Sequence, residues 1–456
     1  MDRSRDLRHP DRRAGAPADR PTRHEGAREM TEPTAVKRLS LMARLHLRER
    51  IRDRDQAIYG ILFLGALVFP MATLFITGGS TAYISQAAHA GTWVLLAIGL
   101  NVVVGFAGLL DLGYAAFFAI GAYTYALFAS SQLGTSPLHH NFHLPFFLML
   151  IIGMLVAASF GALLGFPTLR LRGDYLAIVT LGFGEIVPVL SYNLPQWTGG
   201  INAIGGIDQP WLPAWITGPW AGANSVSIIQ DATCRNPLAQ TQFIPCFSFG
   251  FDPVAYYVLI VILIIGAVIL VSNLYRSRLG RAWMAIREDE TAAAAMGINT
   301  VTTKLLAFAI GASFSGFAGA YYGASFDLVS PDDFLFVVSI TVLVMVVLGG
   351  MGNISGVIVG ALVIYFILNT LLPSLASNAE SLANSIGLGS LNTQKGDWPG
   401  LYGEVQRLQF LLFGLILVMI MLLRPQGLFP SRVREQELKH DAVVEEETVA
   451  EQVPSR

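Results

Sequence analysis

About ten stretches of this chain stay apolar for roughly 20 residues, the length of helix that crosses a hydrocarbon core about 30 Å thick. They fall at 58–77, 84–105, 107–130, 144–168, 174–194, 254–274, 303–324, 334–349, 352–373 and 407–423. Composition agrees: 53% of the 456 residues are hydrophobic and 14% charged. Soluble domains carry about 25% charged residues. Mean hydropathy is +0.53. The reading is an all-α polytopic membrane protein.

Charge divides the chain. Half of the 30 Lys and Arg precede residue 57, and the last ~20 residues are acidic. Residues 1–57 read as a basic cytoplasmic tail: its first part is too polar to bury a core, and 36–54 form an interfacial helix. No secretory signal is visible in it. Residues 58–430 read as the transmembrane domain and 431–456 as an acidic cytoplasmic tail. Counting spans from a cytoplasmic N-terminus places Arg170, Arg172, the basic residues from Arg276 to Lys304, and those from Arg424 to Lys439 inside, as positive-inside topology requires. Both termini are then cytoplasmic. The linkers 195–253 and 374–406 fall outside.

Two junctions between spans are rich in glycine. Gly105, Gly108 and Gly113 separate the second and third spans; Gly349, Gly350, Gly352 and Gly356 separate the eighth and ninth. Broken or re-entrant helices at these places expose backbone groups, tolerated only inside protein or along a cavity. Close helix packing through small residues explains the same pattern.

Leu279 to Ile298 is a charged, Ala-rich insert between spans. Alanine favours helix, and Gly297 can take the left-handed conformation that ends one. Trp283 and Ile286 can share an apolar face. The stretch reads either as a short helix docked on a partner at the membrane edge or as a solvated loop.

Motifs for catalysis are missing from the sequence. There is no GxxxxGK[ST] phosphate loop, HExxH, CxxC or GxSxG, so no catalytic and no metal residues are assigned. His139, His140 and His143 cluster at an external boundary and read as solvated. Cys234 and Cys246, on the first external linker, can form a disulfide or remain two thiols. Ionisable groups within spans are site candidates. Glu185 is the deepest, with Pro188 one turn later; Asp111 and Asp174 stand nearer an interface. Glu185 either bonds a neighbouring helix or lines a path.

Six blocks together resemble the membrane permease subunits of ATP-binding-cassette importers for branched-chain amino acids. They are GLNVVVGFAGLLDLGYAAFFAIGAY (99–123), LRLRGDYLAIVTLGFGEIV (169–187), TGGINAIGGI (198–207), GRAWMAIREDE (280–290), VVLGGMGN (346–353) and RPQGLFP (424–430). The resemblance implies that 279–298 is the coupling helix seated on an ATPase subunit, through Trp283, Arg287, Glu288, Asp289, Glu290, Ala292, Ala293 and Gly297. Ala292, Ala293 and Gly297 match the family's EAA-x-x-x-G pattern; Thr291 occupies the position of its Glu. Pro188 stands where members usually carry Arg. The path is expected around Asn101, Gly105, Gly108, Asp111, Thr180 and Glu185. The implied partners are two ABC ATPases that bind the ATP and Mg, a second homologous permease, an extracytoplasmic substrate-binding protein and membrane lipid. The chain itself is expected to bind no cofactor and no nucleic acid, and to sit in a bacterial inner membrane. A urea or short-amide permease of the same family and an ion-coupled secondary transporter using Glu185 are the alternatives.

Overall fold

The computed structural model describes residues 58–75, 80–136, 144–168, 174–213, 230–235, 243–248, 252–386, 403, 411, 414–415, 418–419, 422 and 427–429. They belong to the compact unit Ile58–Arg456. Both tails, His139, His140, His143 and most of the expected tenth span lie outside the described residues.

Apart from single turns such as Gln132–Thr135 and Pro195–Thr198, the described α-helices are α1 (Ile58–Phe75), α2 (Ala82–Leu100), α3 (Tyr114–Phe128), α4 (Phe146–Thr168), α5 (Asp174–Asn193), α6 (Pro253–Arg276), α7 (Arg278–Glu288), α8 (Glu290–Ala295), α9 (Thr300–Phe326), α10 (Phe336–Gly349), α11 (Ile354–Phe366) and α12 (Leu372–Ser385). A π-helical turn, Asn101–Phe106, continues α2, and another, Ile367–Leu371, joins α11 to α12. Eight of these units, counting α11 and α12 as one, are long and apolar enough to cross a membrane. The chain is an all-α polytopic membrane protein.

Two boundaries differ from the sequence reading. The third span was expected from 107, but α3 starts at Tyr114 and has 15 residues. That is about 22 Å of helix, short of a hydrocarbon core. Gly108 adopts φ +68°, which breaks the helix there. The ninth span was expected to stop at 373, but helix continues to Ser385. Half of its last 14 residues, the Leu, Ala and Glu positions, are good helix formers, and Pro373 falls in the first turn of that segment.

Strands among the described residues are confined to segments between the long helices. β1 (Ile204–Gly205) pairs antiparallel with β5 (Leu328–Val329). β2 (Trp211–Pro213), β3 (Gln230–Arg235) and β4 (Phe243–Ser248) form a sheet in the order β2-β4-β3. Cys234 stands opposite Ile244 and Cys246 opposite Ala232. The two positions are therefore diagonal in the register rather than directly opposed.

α9 is the centre of the bundle, and small residues let its neighbours close on it. A Cβ on Gly316 would lie 2.6 Å from the Gly153 carbonyl of α4, and one on Gly319 would lie 2.7 Å from the Ala122 nitrogen of α3. Lipid gives no hydrophobic incentive for helices to associate, so backbone approach of this kind carries the packing. At one end of the bundle Asp208 N donates to the Ala129 carbonyl, Ile207 N to Asp327 Oδ1 at 2.7 Å and the Tyr192 hydroxyl to Asp332. The other end gathers the glycine junctions and the α7–α8 insert.

Candidate functional site

Sequence dictates the fold of the insert residue by residue. Ser277 closes α6 and caps α7, its Oγ accepting from Gly280 N at 3.3 Å. α7 buries Gly280, Trp283 and Ile286, three apart on one face. Trp283 is fully buried and its Nε1 donates to the Thr303 carbonyl at 2.7 Å. A buried indole N–H needs such a partner, so this bond pins α7 to the start of α9.

The single helix expected over 279–298 is two. Asp289 is extended at φ −153° and separates α7 from α8. Its carboxylate accepts from Thr291 N at 2.8 Å, Ala292 N at 3.0 Å and Thr291 Oγ1 at 2.6 Å. Those bonds, the Thr291 hydroxyl first, hold the Asp289 carboxyl below its usual range. Ala293 docks α8 inward, and Glu290 pairs with Lys304 of α9 at 2.6 Å. Gly297, at φ +86°, ends the element with open space around it. Glu288, Asp289, Glu290, Thr291, Ala292 and Gly297 are left exposed. Trp283, Ala293 and the half-buried Arg287 face the chain's own spans.

Arg287 joins the insert to the first glycine junction. Its guanidinium donates to the carbonyl of Gly105 in the π turn of α2. A Cβ on Gly108 would lie 2.8 Å from Arg287 Cγ, so only glycine leaves the side chain its place. The second junction lies directly beneath. Asn101 Oδ1 accepts from Gly352 N at 2.8 Å, and a Cβ on Gly105 would stand 2.6 Å from that nitrogen. Asn101 is fully buried, and its Nδ2 has no hydrogen-bond partner.

Asp111 and Thr180 form a separate group. Asp111 is buried and accepts from Gly113 N at 2.9 Å. Thr180 Oγ1, on α5, accepts from Leu112 N at 3.1 Å and donates to the Ala177 carbonyl at 3.1 Å. Backbone bonds lost where α2 stops are thus replaced by side chains, as irregular backbone at membrane depth demands.

Of the six expected path residues, Gly105 and Gly108 therefore meet at Arg287, with Asn101 beside Gly105. Asp111 and Thr180 meet at Leu112 and Gly113. Glu185 stands apart, exposed on the outward side of α5.

Asn353 was not singled out from sequence. Its Oδ1 caps α11, accepting from Ser355 Oγ at 2.8 Å, and its Nδ2 donates to the Phe429 carbonyl at 3.2 Å. Leu428 N also donates to the Leu348 carbonyl at 2.8 Å. The VVLGGMGN and RPQGLFP blocks, 76 residues apart at this bond, close on each other. An Asn immediately before an apolar run is the cap signal that could have found it.

The comparisons with known proteins follow this geometry. The family model described as branched-chain amino acid transport system / permease component matches residues 83–421. The LivM protein of Escherichia coli, a high-affinity branched-chain amino acid transport system permease protein, is 38% identical over 84% of this chain and 77% of its own length. The BraD permease protein of Pseudomonas aeruginosa is 25% identical over 60% of this chain and 80% of its own. The LivH permease protein of Escherichia coli is 36% identical over a shorter 88 residues, 19% of this chain and 28% of its own. No solved structure matches significantly. With a family model covering most of its spans and a relative at 38% identity along most of both chains, the chain belongs to the branched-chain amino acid transport system permease component family.

Proposed function

We propose that this chain is one permease subunit of an ATP-driven importer that carries branched-chain amino acids across a bacterial inner membrane, with both termini cytoplasmic. ATP and Mg are bound by two separate ATPase subunits. A second permease completes the pore, and an extracytoplasmic binding protein delivers the substrate.

One observation carries the reading. The α7–α8 insert docks on its own spans through Trp283, Ile286 and Ala293, and keeps a polar, small-residue surface turned outward. A further inward tie, Arg287 to Gly105, ends on a broken helix. An ATPase seated on Glu288–Thr291 and the Ala294–Gly297 end would move the insert as a body. The pull passes through the Gly105 carbonyl into the π turn, and through Asn101 into the Gly352 junction. π turns commonly mark functional irregularities of this kind. Alternating access then follows from rocking the spans around the two junctions.

The test is uptake into proteoliposomes holding this chain, its second permease, both ATPases and the binding protein. Labelled leucine should accumulate only with ATP and Mg. Accumulation of urea without leucine would move the substrate to short amides. Uptake that persists without any ATPase would overturn the importer and favour an ion-coupled transporter.

A further inference from the structure

Glu185 is placed where lipid cannot satisfy it. It lies 11 residues after the start of α5 and eight before its end, near the middle of the helix. It is exposed, and no described residue bonds its carboxylate. The same outward face carries Ile178, Gly182, Ile186 and Val189. The opposite face, with Thr180 and Gly184, packs on Gly113. Pro188 is buried on that inner side and brings no cation to the carboxylate.

The contrast with α4 is informative. Its outward residues, such as Leu148, Leu155 and Leu163, are apolar except Ser159, whose hydroxyl donates to the Val156 carbonyl of its own helix, and they suit lipid tails. A carboxylate in the middle of a face exposed to hydrocarbon is costly and normally faces a bundle interior or water. Gly182, with nothing within 4 Å of its Cβ position, leaves room for another backbone to come close beside it.

We infer that the outward face of α5, centred on Gly182 and Glu185, is the seam against a second permease chain, and that Glu185 faces water within that seam. The occupant is a related but different chain. Escherichia coli has two differently named permease proteins of the high-affinity branched-chain amino acid transport system, and this chain resembles both. The inference rests on the importer reading above, which supplies the second permease.

Photo-crosslinking in the full complex tests it. A benzophenone amino acid is placed at Ile186 on α5 or at Leu163 on α4, and products are identified by mass spectrometry. The Ile186 probe should capture the second permease at least tenfold more than the Leu163 probe. Capture of another copy of this chain, or of lipid alone, overturns the seam.

Water is tested separately with Glu185→Cys in a chain whose Cys234 and Cys246 are replaced by serine. A charged, membrane-impermeant thiol reagent should modify it at least tenfold faster than Leu163→Cys; equal rates overturn the aqueous setting. Loss of ATP-dependent uptake by the unmodified complex would defeat the importer reading instead. Intact uptake with crosslinks elsewhere defeats the seam alone.

Discussion

The two glycine junctions look alike in sequence and are built differently. The second makes its own turn and cap, and adds backbone bonds to Leu428 and Phe429 and one to Asn101. Gly350 and Gly352 turn the chain with positive φ, Asn353 caps the next helix, and Gly349 meets the Gly356–Val357 backbone of α11. The first borrows its partners. Gly105 is held by Arg287 of the insert, Leu112 by Thr180 of α5, and Ala115 by Ser339 of α10 at 2.9 Å. A junction whose turn and cap come from its own residues is scaffold. One satisfied by three other elements moves when they move.

The largest effect should come from the scaffold. A Cβ on Gly349 would lie 2.6 Å from Val357 Cα, backbone that cannot step aside. Gly349→Val should cost about 3 kcal/mol or more by overpacking. Yield in the membrane and the melting midpoint in detergent should both collapse. Normal yield would show that the second junction is as adjustable as the first.

Arg287→Ala should spare the fold and damage transport. It leaves the Gly105 carbonyl without its donor, a loss of about 1–3 kcal/mol for a buried group. Coupling energies carried by single residues run about 0.5–2 kcal/mol, so uptake per ATP hydrolysed should fall about 2- to 30-fold. ATPase association should persist, because the outward surface is unchanged. Wild-type uptake in a folded Arg287→Ala complex would cut the proposed link between insert and junction.

Spans were legible because their signal is run length, which needs no knowledge of neighbours. Breaks were legible where glycine clusters, yet their geometry was not. Nothing in GFAGLLDLG says that Arg287, 182 residues from Gly105, will take its carbonyl. The split of 279–298 was signalled by Asp289 preceding Thr291 and Ala292, but the alanine run argues for one continuous helix. The six path residues fell into three places because spacing along one helix does not say which helix packs against it. Glu185 and Thr180 are five apart on α5, and packing on Gly113 turns one outward and the other in.

Asn353→Ala tests the scaffold more gently. It removes the α11 cap and the bond to Phe429. Loss of a cap costs about 1 kcal/mol. The melting midpoint should drop by a few degrees while uptake per folded molecule stays at the wild-type value. A drop in uptake at unchanged stability would give the second junction a transport role of its own and erase the contrast between the two.

The smallest effect is local and lies in the insert that drives the first junction. Asp289 caps α8 as a carboxylate, and its carboxyl is depressed relative to an unfolded chain. The ionised form is therefore the one the fold favours. That contribution is present above the ordinary Asp value of about 4 and is lost as pH falls through the lower native one. Amide protection at Thr291 and Ala292 should hold at neutral pH and fall only under more acidic conditions than an ordinary Asp requires. Asp289→Asn keeps a side-chain acceptor and should remove the pH dependence, whereas Asp289→Ala should lower protection at every pH. If protection in the wild type instead fades above pH 5, the carboxylate is not what separates α7 from α8. The insert would then be held by Trp283, Ile286, Ala293, the Arg287–Gly105 bond and the Glu290–Lys304 pair, with no part played by the Asp289 cap.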